Sequence, residues 1–258
     1  MSATDVVAAF AVENGAMIGR SVRRSSRDLE TLVTSVMLPV ALMLMFVYVF
    51  GGAIDLGTSY VNYVVPGILL LTAAFGSATT AVSVSADMTD GIVDRFRAMP
   101  IAGSSVLTGH VVASLLRNLM AMIIVIGVAL LVGWRPTASP VEWAGAAALL
   151  ALFILSVSWL SACLGLVAGS PEAANAFTFV ILFVPYVSSA FVPTRTMPAV
   201  LQGFADHQPV TPVIETLRSL LMGVPSSGSA SAALAWLLVL LAASWVASSH
   251  LFRRRASR

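Results

Sequence analysis

The residues able to do chemistry are few and scattered. The three histidines, His110, His207 and His250, lie far apart and belong to no H-E-x-x-H or comparable metal-ligand spacing. Serines abound, yet no G-x-S-x-G or S-x-x-K frames one as a nucleophile. Asp206 and His207 in FADHQPV make the best polar pair, and a shaped turn is the stronger reading for them. All 14 basic residues are arginine. Without lysine there is no P-loop G-x-x-x-x-G-K-[ST], whose lysine reaches the phosphates, and no Schiff base. Any ATP-driven work therefore needs another polypeptide to hydrolyse the nucleotide. No metal or cofactor is expected in this chain, nor a nucleic-acid partner. The single Cys163 falls in an apolar run and reads as packing.

Charge patterning says where such a chain sits. Of 258 residues, 58% are hydrophobic and 10% charged, against roughly a quarter charged in an ordinary soluble domain. Between consecutive Asp, Glu or Arg residues lie six long uncharged intervals: 31–54, 56–86, 118–134, 143–171, 173–194 and 219–252. Each has room for the roughly 17–25 apolar residues that cross a bilayer as a helix. The runs are continuous rather than alternating in period two, which argues against a barrel. The fold class expected is all-α integral membrane, with six transmembrane helices in a single domain, 1–258. It divides into a cytoplasmic N-terminal segment at 1–30, a bundle at 31–252 and a basic tail at 253–258. The first residues, MSATDVVAAFAVENGA, have no basic leader, so no cleaved signal peptide is expected.

With both termini inside, that side carries Arg20, Arg23, Arg24, Arg27, Arg95, Arg97, Arg253, Arg254, Arg255 and Arg258. The outside keeps only Arg135, Arg195 and Arg218, a clear positive-inside bias. Arg117 reads as snorkelling from the cytoplasmic end of the third span. No charge is expected at a span midpoint, which disfavours a proton relay. Arg20, Arg23, Arg24 and Arg27 recur at i, i+3, i+4 and i+7, opposite Ile18, Val22 and Leu29. That pattern predicts an interfacial helix on anionic headgroups; simple topogenic charge is the alternative.

Tyr60, Tyr63, Trp134 and Trp143 read as interface anchors. Gly165 and Gly169 form a G-x-x-x-G, better suited to packing within one subunit than to a dimer seam. In TPVIETLRSLLMG, Thr211 predicts an N-cap, Pro212 the first helical position and Gly223 the end. Val213, Ile214, Leu217, Leu220 and Leu221 make one apolar face, with Glu215 and Arg218 at i, i+3 opposite. About ten residues cannot span, so this helix lies at or dips into the outer surface. Ser77, Thr79, Thr80, Ser83, Ser156, Ser158, Ser161, Asn175, Phe177, Phe179, Phe183 and Tyr186 face two readings: interhelical packing, or the wall of a path for an amphipathic substrate.

The segment DRFRAMPIAGSSVLTGH interrupts the membrane pattern. Asp87, Asp90 and Asp94 alternate with Arg95 and Arg97, and Pro100 predicts a stop or kink. Ile92, Phe96 and Met99 recur at i, i+4 and i+7, an apolar stripe that wants a partner. A solvated loop is the alternative.

At this point a resemblance becomes specific. DRFRAMP, VFGGAI (49–54), YVNYVVPGIL (60–69), GSPEAANAF (169–177), SSAFVPTRTMP (188–198) and FADHQPVTPVIETLRSLLMG (204–223) occur in the order seen in ABC transporter type-2 permeases of the daunorubicin/doxorubicin-resistance class. The resemblance covers nearly the whole chain. It implies a half-permease of the bacterial inner membrane, paired with a second copy or a related permease. A separate ATP-binding-cassette ATPase would hold ATP and Mg. It implies an ATPase-coupling surface at Asp94, Arg95, Phe96, Arg97, Met99 and Pro100, aided by the N-terminal helix and by Ser170, Pro171 and Glu172. It also implies short re-entrant helices between the fifth and sixth spans, closing the exit. The cargo would be an amphipathic or lipid-like compound or drug, moved outward, and the chain itself would be no enzyme. The alternative is an ATP-independent channel or secondary carrier, with a membrane-embedded enzyme third.

Overall fold

The computed structural model describes residues 29–53, 59–89, 103–224 and 229–256. Every regular element among them is helical. In chain order these are α1 (Leu29–Met45), α2 (Tyr60–Thr89), α3 (Gly103–Val132), α4 (Pro140–Val167), α5 (Pro171–Phe183), α6 (Ala199–His207), α7 (Val210–Met222) and α8 (Ser229–Ala256). α1 passes through Pro39 and widens into a π-turn at Phe46–Phe50. The glycine after that turn is required: a Cβ on Gly51 would lie 2.2 Å from the Val47 carbonyl oxygen. α5 tightens into a 3-10 turn at Val184–Val187, where Pro185 cannot continue an α-helical ladder.

Four helical segments among the described residues are long and apolar enough to cross a membrane: Tyr60–Thr89, Val106–Val132, Pro140–Val167 and Ser229–Phe252. Two shorter apolar helices, Ser35–Phe50 and Pro171–Val187, occupy the first and fifth uncharged intervals. The fifth interval is not helical to its end, because the chain turns at Ser188–Ala190 and continues to a 3-10 turn at Thr194–Thr196.

α2 is the axis of the bundle. In its most apolar stretch 78% is buried, against 17% for α8, which lies on the outside. α1, α3, α4 and α5 surround α2, and α8 packs on α4 and α7. The main core joins Ile68, Leu69 and Leu71 of α2 to Ile154 of α4 and to Ile214, Leu217 and Leu221 of α7. Small residues set how closely the helices approach. A Cβ on Gly165 would lie 2.4 Å from the Ala81 carbonyl oxygen, one on Gly76 2.1 Å from Asn118 Oδ1, and one on Gly67 2.8 Å from Ala190. Gly165 thus packs within the chain, as the sequence predicts, while Gly169 has open space around its Cα.

α4 begins with a capping box. Ser139 Oγ accepts from Glu142 N–H, and Glu142 accepts from Ser139 N–H at 2.6 Å. α7 starts at Val210, two residues before Pro212, because Gln208 Oε1 accepts the Val210 N–H at 3.2 Å. Thr211, expected as the cap, instead receives the Ser189 N–H at 3.4 Å. Gly223 ends α7 with φ 66°, the left-handed conformation that favours glycine.

Candidate functional site

Of the predicted contact residues, Arg20, Arg23, Arg24 and Arg27 and the stretch Asp94, Arg95, Phe96, Arg97, Met99 and Pro100 lie outside the described residues. Ser170, Pro171 and Glu172 are described. Ser170 is the N-cap of α5, its Oγ accepting from Ala173 N–H at 3.2 Å, with Pro171 in the first turn. Glu172 is exposed in the first turn of this helix. The turn is a preformed polar corner.

The bundle has two other built regions. The first is a polar seam where α3 meets α2 and α4. Asn118 is fully buried and donates through Nδ2 to the Ser114 carbonyl at 2.9 Å, with Ser77 Oγ at 3.5 Å. Ser114 Oγ meets Ser158 Oγ of α4 at 2.9 Å. Ser156 of α4 donates to the Leu237 carbonyl of α8 at 3.0 Å. Ser83, by contrast, bonds back to Thr79 O of its own helix. The serines at these contacts therefore tie helices together, while Phe179 and Phe183 of α5 are exposed.

Arg117 belongs to the seam, which corrects its snorkelling assignment. α3 begins at Gly103, so Arg117 lies midway along it rather than at its start. Its Nη2 donates to Thr79 Oγ1 at 2.9 Å and to the Gly76 carbonyl at 3.2 Å, across the interface with α2. Near the end of α2 that leads into residues 90–102, buried Asp87 Oδ2 meets His110 Nε2 of α3 at 3.0 Å. No histidine spacing in the sequence signals this pair; only the helix hairpin brings it together.

The second region closes the opposite end. Tyr60 donates to the Phe191 carbonyl at 2.8 Å, and Tyr63 to the Ser189 carbonyl at 3.0 Å. Arg218 of α7, only 5% exposed, donates to Ser189 O at 2.9 Å, to Tyr63 O at 3.2 Å and to Glu215 Oε1 at 2.8 Å. Its guanidinium also lies 3.9 Å above the Tyr63 ring, a cation–π contact. The Glu215–Arg218 pair occurs as its spacing predicts, with the arginine buried and the carboxylate partly exposed. Phe191 is sandwiched between Phe46 at 4.3 Å and Tyr186 at 5.5 Å.

These contacts revise the aromatic anchors. Trp134 is fully buried, its Nε1 donating to Met222 Sδ at 3.2 Å and its ring edge-on to Trp143 at 5.9 Å. Tyr60, Tyr63 and Trp134 are thus cross-links of a cap rather than headgroup contacts. Their polar handles, which suit an interface, serve equally for a carbonyl or thioether inside the fold. His207 Nδ1 donates back to Gly203 O at 2.8 Å, so this histidine shapes its own helix. Among the described residues no group of His, Cys, Asp and Glu could hold a metal ion.

Comparison with known proteins now adds to this geometry. The family model described as "ABC-2 type transporter" matches residues 13–222. The daunorubicin resistance ABC transporter permease protein DrrB1 of Streptomyces coeruleorubidus is 31% identical over 194 residues, covering 74% of this chain and 69% of its own. The probable doxorubicin resistance ABC transporter permease protein DrrC of Mycobacterium tuberculosis is 23% identical over 232 residues, covering 88% of this chain and 83% of its own. The family match takes in the axis helix, the polar seam and both latched tyrosines, and it ends on Met222, where α7 ends. The chain belongs to the ABC-2 type transporter permease family.

Proposed function

We propose that this chain is the membrane-spanning subunit of an ATP-driven exporter, powered by a separate ATP-binding-cassette protein that binds ATP and Mg. One observation carries the reading: a member of an ABC transporter family contains no lysine anywhere, and so no P-loop of its own. The four long spans are joined by Ser35–Phe50 and Pro171–Val187 as first and fifth spans, giving six. With an even number, and with arginine concentrated on the terminal side, both termini are cytoplasmic in the bacterial inner membrane. α6 and α7 then lie outside as re-entrant helices, and residues 90–102 and the Ser170 corner lie inside.

In this arrangement Asp94, Arg95, Phe96, Arg97, Met99 and Pro100 form the handle held by the ATPase, with Ser170, Pro171 and Glu172 a second contact. The handle links α2 to α3, and the Asp87–His110 pair ties those two helices where it leaves them. α2 also carries Tyr60 and Tyr63 at its other end, so one unbroken helix joins the handle to the cap. A push on the handle biases the cap between latched and released arrangements, the two-state element that coupling requires. The exposed apolar faces of α1 and α5 suit a second permease copy or lipid. The cargo is an amphipathic or lipid-like compound, and the names of the two relatives, for daunorubicin and doxorubicin resistance, favour a drug among such compounds.

Phe96→Ala is expected to weaken ATPase docking about ten-fold, the effect of removing a buried aromatic anchor, without altering membrane insertion. Co-purification from detergent-solubilised membranes, followed by ATPase activity in the eluate, measures it. Unchanged docking would displace the handle from these residues. A permease that never captures a nucleotide-hydrolysing partner would sink the exporter reading in favour of a channel.

A further inference from the structure

The capped end forms an open-mouthed cavity of about 600 Å³ between the start of α2, α7 and the 3-10 turn at Thr194–Thr196. That volume lies within the roughly 300–1,000 Å³ typical of small-molecule sites. Met222, Val224 and Pro193 supply apolar wall. The polar wall is biased toward donors. Asn62 Oδ1 already accepts the Arg135 N–H at 3.2 Å, so the carboxamide offers its NH2 group. Glu215 is engaged by Arg218 at 2.8 Å, which offsets one of the two guanidinium charges in the wall. Arg195 is exposed at the rim and makes no ion pair among the described residues. Two arginines against one carboxylate leave the cavity with a net positive charge.

We infer that this cavity binds an acidic amphiphile, with its anionic headgroup at Arg195 and Asn62 and its apolar tail along Met222 and Val224. The guanidinium supplies a charge-assisted hydrogen bond to a phosphate or carboxylate oxygen. Arg218 contributes field and shape, its fork being occupied by the Tyr63 and Ser189 carbonyls and by Glu215. The site stands independently of the exporter reading, because it needs neither ATP nor a partner.

The test uses the full-length permease purified in a neutral detergent. It is titrated with dioctanoyl phosphatidylglycerol, with dioctanoyl phosphatidylcholine and with inorganic phosphate, and bound ligand is counted by native mass spectrometry. Phosphatidylglycerol is expected to bind at least ten-fold more tightly than phosphatidylcholine, and inorganic phosphate is expected not to displace it at millimolar concentration. Arg195→Gln should weaken phosphatidylglycerol about ten-fold, the usual effect of one lost charge-assisted contact. Thr194→Trp, which fills the mouth without changing charge, should weaken it at least as much. Equal binding of the two lipids, or no effect of Arg195→Gln, would show that the cavity does not read negative charge. Displacement by inorganic phosphate would reduce it to an ion site without a tail groove, and undiminished binding in Thr194→Trp would place the lipid elsewhere. Each of those results overturns the assignment.

Discussion

Arg218→Ala is expected to lower the thermal unfolding midpoint of the purified permease by about 5–10 °C, the fall that a loss of roughly 2–4 kcal/mol gives in a chain of this size. The arginine is 5% exposed and joins three separate pieces of chain: Tyr63 on α2, Ser189 in the turn after α5, and Glu215 on α7. Truncation removes a charged donor from the Tyr63 and Ser189 carbonyls, the latter keeping the Tyr63 hydroxyl, and leaves a carboxylate without its cation, a cost of about 1–3 kcal/mol for each group left short when desolvated. Glu215 is partly exposed, so solvent recovers part of that loss. Arg218→Lys restores charge but not the planar fork, and should regain no more than half of the shift. Thermal unfolding followed by tryptophan fluorescence in detergent decides it. A midpoint within a degree of the parent would mean that the cap is held by its apolar contacts alone.

The second large effect is steric. Gly165→Leu drives its Cβ toward the Ala81 carbonyl, which already lies 2.4 Å from where that atom would be. The obstacle is backbone of a buried helix, which cannot rotate aside, so α4 must separate from α2. Overpacking of this kind costs about 1–3 kcal/mol or more, and the yield of monodisperse protein should fall several-fold. Gly169→Leu, made in the same G-x-x-x-G, meets open space and should stay within about 0.5 kcal/mol of the parent. Size-exclusion profiles and unfolding midpoints of the two variants compare them directly. Equal damage from both would move the motif's role to a contact outside this chain.

How much of this was legible beforehand differs from residue to residue. Gly223, the apolar face of α7 and the Glu215–Arg218 spacing are local signals, and they led to the right helix within two residues of its start. The role of Gly165 was legible as close packing, while its partner Ala81 was not, since nothing in sequence pairs two positions far apart on different helices. Arg117 shows the limit of reading spans from charge. An arginine marks a span end only when water or headgroups must solvate it; here Thr79 and the Gly76 carbonyl do so from a neighbouring helix. Tyr60, Tyr63 and Trp134 are ambiguous in sequence for a related reason. Their amphipathic rings fit both a headgroup layer and a buried carbonyl, and only tertiary structure distinguishes the two. Asn118 and the Asp87–His110 pair stand in no recognisable motif, so the seam and the tie near the handle became visible only in three dimensions.

The length of α2 has a consequence for the bilayer around it. Thirty residues of α-helix reach about 45 Å, whereas the hydrocarbon layer is about 30 Å thick. Tilt alone at ordinary angles does not absorb that excess. Both ends of α2 must therefore reach the depth of the headgroup layers, where protein rather than lipid covers Tyr60 at one end and Asp87 at the other, while Gly76 and Thr79 stay near mid-depth. Hydrophobic mismatch then acts on the two ends and spares the middle. Thinning or thickening the membrane by a few ångströms shifts the lipid around the two ends, whose terminal hydrogen bonds stay covered by protein, and leaves the arginine-bearing contact at mid-depth in the same surroundings.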